Sequence, residues 1–94
     1  MNLMDRVEIL RHDLQNPPAA KQEYLVHLLN VAESEILEEG IHLTEEIGDE
    51  NLRIMYAAYL YRKRVNGENG MPRMLRYALN NRLFSEKGAV TDDS

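Results

Sequence analysis

The stretch from about Glu50 to Val65 reads as one helix that is apolar on two opposite sides. At 100° per residue, Leu52, Met55, Tyr56 and Tyr59 fall together, while Ile54, Ala58, Tyr61 and Val65 form a second group across the axis. Lys63 interrupts the first group near its end, and nothing interrupts the second. A helix of this kind either runs through the middle of a bundle or is shared between subunits. A chain of 94 residues has a small interior. The expectation is therefore that another copy, or a different partner, covers the second apolar face.

The rest of the sequence is punctuated into three more helices. Leu3, Val7, Leu10 and Leu14 make a narrow stripe over Asn2–Leu14, with Asn2 as the N-cap and Asp5 in the first turn. Asn16-Pro17-Pro18 ends that helix, because the residue before a proline is pushed out of helical geometry. A second helix is predicted from Pro18 or Ala19 to about Glu39, stopping at Gly40, with Leu25, Leu28, Leu29, Ala32 and Ile36 inward and His27 outward. Residues 41–49 read as a connector with one turn begun at Thr44, followed by the doubly apolar helix from about Asp49 to Val65. Asn66 to Gly70 is a loop. The fourth helix is predicted from Pro72 to Leu83, with Leu75, Ala78, Leu79 and Leu83 inward and Arg73, Arg76, Tyr77 and Asn80 outward. The fold class is all-α, a small four-helix bundle-like domain over residues 1–87. Gly88 is expected to end the ordered chain, leaving an acidic carboxy-terminal tail over 88–94 that is flexible or ordered by a partner.

Composition narrows the function. Cysteine is absent, which removes disulfides and thiolate metal or redox sites. The amino terminus reads as a charged amphipathic helix, not a signal peptide, and no apolar run approaches the ~20 residues that span a bilayer. A soluble protein with no membrane partner is expected. The net charge of −5 is unevenly placed. Glu33, Glu35, Glu38, Glu39, Glu45, Glu46, Asp49 and Glu50 occupy a segment with no lysine or arginine. From Arg53 to Lys87 there are eight basic residues against Glu68 and Glu86. This reads either as two solvated faces or as a protomer with an acidic and a basic side, suited to head-to-tail packing.

Catalytic chemistry finds little support. Glu8 and His12, and Glu23 and His27, share helix faces at four-residue spacing, yet these are solvated pairs without a zinc-binding pattern. Glu35, Glu38, Glu39, Glu46, Asp49 and Glu50 carry the alternative reading of a Mg²⁺-dependent, all-α nucleotide pyrophosphohydrolase-like enzyme, which requires those carboxylates to converge between helices. Arg62-Lys63-Arg64 reads as a basic helix end complementing the dipole, because phosphate neutralisation by a dedicated DNA binder takes a broad positive face. Tyr56 and Tyr59 read as core, and Tyr61 as core or interface. A small helical regulatory domain binding one protein is a further alternative.

Two segments carry a resemblance. Met55-Tyr-Ala-Ala-Tyr-Leu-Tyr-Arg-Lys-Arg64 and Met71-Pro-Arg-Met-Leu-Arg-Tyr-Ala-Leu-Asn-Asn-Arg-Leu-Phe84 are similar to the second half of the head–tail connector proteins of tailed bacteriophages, also called head completion or adaptor proteins. With the helical layout, the resemblance extends over roughly residues 1 to 87. It implies a structural virion protein without enzymatic activity, cofactor or metal. It further implies synthesis in the host cytoplasm and a place at the head–tail interface, in a homo-oligomeric ring of usually twelve copies beneath the portal protein. Such a ring extends the DNA channel used in packaging, passes DNA without sequence-specific binding, and presents a docking surface to a stopper or tail-completion protein. On that reading Arg62, Arg64, Arg73, Arg76 and Arg82, with Tyr61, Asn80, Asn81, Leu83 and Phe84, are expected at subunit or portal contacts. Glu38, Glu39, Glu45 and Glu46 would form the acidic counterpart face. Phe84 is the candidate apolar anchor.

Overall fold

A computed structural model describes residues 1–67 and 69–91, with side chains described through Lys87. Four α-helices follow one another: α1 (Leu3–Asp13), α2 (Gln22–Glu38), α3 (Ile47–Asn66) and α4 (Arg73–Thr91). No strand occurs among the described residues. The chain is all-α, as its periodicity predicts.

Each helix end has a local cause. Asn2 caps α1 by accepting a 2.8 Å hydrogen bond from the Asp5 amide. Gln15 and Asn16 then take positive φ angles of 65° and 52°, which turn the chain out of the helix. The expected start of α2 at Pro18 or Ala19 is not observed. Residues 17–20 instead form a turn closed by the Ala20 amide on the Pro17 carbonyl, at 3.1 Å. Ala20 is buried there, and its carbonyl accepts a 2.6 Å bond from Arg11. The helix begins only after Lys21, whose backbone is extended. At the far end of α2, Gly40 adopts φ +99°, with the Leu83 side chain 3.4 Å from where a Cβ would sit. Gly67 closes α3 in the same left-handed region at φ +68°.

The helices pack around α3. Arg6 meets Glu50 while Asp13 meets Arg62, so α1 runs parallel to α3. Glu33 meets Arg53 while Tyr24 meets Tyr61, so α2 runs antiparallel to it. Helix α4 packs where α2 finishes and α3 begins, with Arg76 on Glu39 and Arg82 on Asp49. Leu25, Leu28, Leu29, Ala32 and Ile36 are buried as the α2 stripe predicts, together with Val7, Leu10, Leu75 and Leu79.

This arrangement overturns the expectation that the second apolar face of α3 needs outside cover. Ile54 and Ala58 are buried within the single chain, Tyr61 is half-buried beside Tyr24, and only Val65 is left exposed. Three neighbouring helices enclose α3, so both apolar sides are used internally. A second correction concerns the carboxy terminus. The fourth helix does not stop at Leu83, since helical backbone continues to Thr91. Of the tail expected over 88–94, residues 92–94 lie outside the described residues.

Candidate functional site

The α2–α3 connector is held by a lattice of charged side chains, and this lattice decides which surfaces are free. Glu50 is 2 % exposed and accepts hydrogen bonds from Arg6 at 3.0 and 3.2 Å and another from Arg53. The Met1 amino group lies 3.8 Å away. Burial pushes the Glu50 carboxyl up, but the Arg6 hydrogen bond and the surrounding positive charges prevail and hold it below its ordinary value. Arg53 also donates a 2.7 Å bond to the Thr44 carbonyl, which ties the connector to α3. Its Nε lies 3.3 Å from Glu33, near enough for charge attraction but out of hydrogen-bond alignment.

Asp49 is the second centre. It accepts from the Thr44 amide at 2.8 Å and the Thr44 hydroxyl at 2.9 Å. Arg82 forks onto both of its oxygens at 2.8 and 3.2 Å. Burial raises this carboxyl as well, and the bonds from Arg82 and Thr44 outweigh it. Arg82 continues to Glu86 at 2.7 Å and to the His42 carbonyl at 2.9 Å. Glu86 in turn accepts from the His42 amide and ring, and with Arg82 beside it is held at about 2. Burial, and then the neighbouring Glu35 carboxylate, push the Tyr56 hydroxyl up.

These contacts sort the residues expected at a subunit or portal interface. Arg82 is occupied inside the fold, joining α4 to the connector. Its apolar-side position among Leu75, Ala78 and Leu79 was the signal for this, because an arginine on the inward stripe of a helix needs a buried acid. Arg76 and Glu39, expected on opposite sides of a contact between subunits, pair at 3.0 Å within one chain. Arg62 is drawn to Asp13, 3.3 Å from its carbonyl. Leu83 is half-buried against Gly40. Arg64 lies over the Tyr24 ring at 5.7 Å, and Tyr61 is half-buried next to it. Glu38, Glu45 and Glu46 are exposed. The candidate Mg²⁺ ligands do not converge: Asp49 and Glu50 are engaged by arginines, and no group of three His, Asp or Glu side chains among the described residues is placed to hold a cation.

One surface left open among the described residues is the outward face of α4. Arg73, Met74, Tyr77, Asn80, Asn81 and Phe84 are all exposed, and their spacing puts them on one side of the helix. Met74 is 76 % and Phe84 79 % exposed, with Tyr77 between them. Met74 and Tyr77 extend the apolar anchor expected at Phe84 into a stripe of nearly three turns. No helix of the described residues is long and apolar enough to cross a membrane. Compared with known protein families, with curated proteins and with solved structures, the chain matches none of them.

Proposed function

We propose that this chain is a head–tail connector of tailed bacteriophages, a structural protein that assembles as a ring under the portal, extends the DNA channel and offers a docking surface to the stopper or tail. The observation that carries the reading is the open stripe on α4. It coincides with the segment Met71–Phe84 that resembles the connector family. Large apolar side chains grouped on one exposed helix face and edged by arginine and asparagine suit a protein–protein contact. Its two aromatic side chains, Tyr77 and Phe84, are exposed and contribute nothing to the buried core, so their exposure is not a packing requirement of the fold.

The competing hydrolase reading loses its best-placed ligands, because the two buried carboxylates already neutralise arginines. An acidic chain also suits a DNA conduit, since a strongly cationic lining would hold DNA by its phosphates and oppose passage. The test is docking to the cognate portal by co-purification or surface resonance. Replacing Tyr77 and Phe84 together by alanine is expected to weaken docking by roughly a hundredfold, since exposed aromatic anchors of this kind contribute on the order of 2 kcal/mol or more. Helicity and thermal midpoint stay as in the parent chain. Undiminished docking by the double variant removes the α4 face from the contact, and a parent chain that binds no portal ends the connector reading.

A further inference from the structure

The two ends of α3 carry surfaces of opposite character. At its start, Glu45, Glu46 and Ile47 project from the connector, and Ile47 is 78 % exposed. No cation among the described residues pairs with Glu45 or Glu46. This tip is stiff. Glu46, at the N-cap position of α3, donates its amide to the Thr44 hydroxyl at 3.2 Å, and Thr44 is itself fixed by Asp49 and Arg53. At the other end of α3, an open groove of about 370 Å³ lies between α2 and α3. Leu28, Val31 and Leu60 give it an apolar floor, and Lys63 and Arg64 stand at its edge. Their cationic ends rest on tyrosine rings, Lys63 5.8 Å from Tyr59 and Arg64 5.7 Å from Tyr24. Neither pairs with a carboxylate among the described residues.

We infer that the acidic tip at the start of α3 in one copy of this chain docks in the basic groove at the end of α3 in the next. Ile47 enters the apolar floor while Glu45 and Glu46 meet Lys63 and Arg64. The occupant is assigned by charge and shape together: an exposed isoleucine preceded by two glutamates complements an apolar slot edged by two cations that pair with no carboxylate among the described residues. A lysine or arginine lying on an aromatic ring keeps its charge available to an incoming acid. Ile47 and Arg64 are ~25 Å apart along α3, so a single copy cannot join the two surfaces to each other. The contact is heterologous, and its repetition builds a ring or an open filament. It deepens the proposed ring by naming its subunit contact, separate from the α4 stripe reserved for the portal.

The chain has no cysteine, which permits a direct test. Glu46→Cys combined with Arg64→Cys is expected to yield a ladder of disulfide-linked oligomers under mild oxidation at low ionic strength. Glu46→Cys combined with Arg73→Cys serves as the collision control. Charge reversal gives an independent readout by sedimentation. The pair Glu45→Arg/Glu46→Arg and the pair Lys63→Glu/Arg64→Glu should each weaken self-association by roughly tenfold or more, because like charges then face each other. Mixing the two variants should restore it, since each supplies the complement of the other. Equal ladders in both cysteine variants, assembly that stops at a dimer, or reversed variants that associate like the parent would overturn the proposal. Loss of portal docking with the ladder intact would remove the connector reading and leave this contact standing. A missing ladder with portal docking retained would do the reverse.

Discussion

Glu50→Gln is expected to destabilise the chain by about 3–5 kcal/mol, the range for removing one partner of a buried ion pair. The glutamine keeps the shape but leaves Arg6 and Arg53 facing a neutral group, and the Arg53 side chain is only 6 % exposed. A domain of this size has on the order of 5–14 kcal/mol in total, so the denaturant midpoint should fall by a large fraction at unchanged slope. Replacing Arg6, Glu50 and Arg53 together by apolar residues of similar volume should recover most of the loss, because no unpaired charge then remains. The pH profile supplies the sign. Glu50 and Asp49 lie below their ordinary values of 4.5 and 3.8 in the folded chain. Their stabilising contribution is complete above those values and is lost as pH falls through the lowered ones. Thermal stability of the parent should therefore be flat near neutrality and drop in acid, and Glu50→Gln should have a shallower acid limb. A variant as stable as the parent, or one with an identical acid limb, would show that the buried cluster contributes nothing net.

Arg82→Ala is the second large effect, expected at about 2–4 kcal/mol. That is somewhat below the fully buried case, because a fifth of the Arg82 side chain remains in solvent and water partly screens the pair. The loss should be local. Arg82 donates to Asp49, Glu86 and the His42 carbonyl, so its removal detaches the later turns of α4 from the connector. Hydrogen exchange should quicken in α4 after Leu79 and in residues 42–49, while α1 and the α2 core stay protected. Arg82→Lys should rescue poorly, since an ammonium cannot reproduce the fork on both Asp49 oxygens. Full rescue by lysine, or exchange that quickens evenly through the chain, would contradict this assignment.

These two side chains also mark where sequence reasoning reached its limit. The four helices, the α2 stripe from Leu25 to Ile36, the Asn2 cap and the inward face of α4 were all legible, because each is a matter of residues three or four apart on one helix. Phe84 and Arg73 were legible as exposed for the same reason. Arg82 and Glu50 were not legible as a lattice. Their partners are 33 and 44 residues away, on Asp49 and Arg6, and no local pattern encodes such a pairing. Arg76 and Glu39 read from the sequence as members of a basic and an acidic surface for contacts between molecules, whereas in the fold they pair with each other.

By itself, then, the sequence determined an all-helical chain, the faces that each helix turns inward, and a division into an acidic and a basic half. Hydrophobic periodicity and capping act over a few residues, and those interactions depend on nothing distant. Which helices enclose α3 was decided only in three dimensions. The parallel placing of α1 and the return of α4 bury both apolar sides of the middle of the central helix, and they leave a large apolar stripe open on the outer face of α4. That outcome depends on which arrangement buries the most apolar area while pairing every buried charge, a property of the whole packed set that no single helix carries.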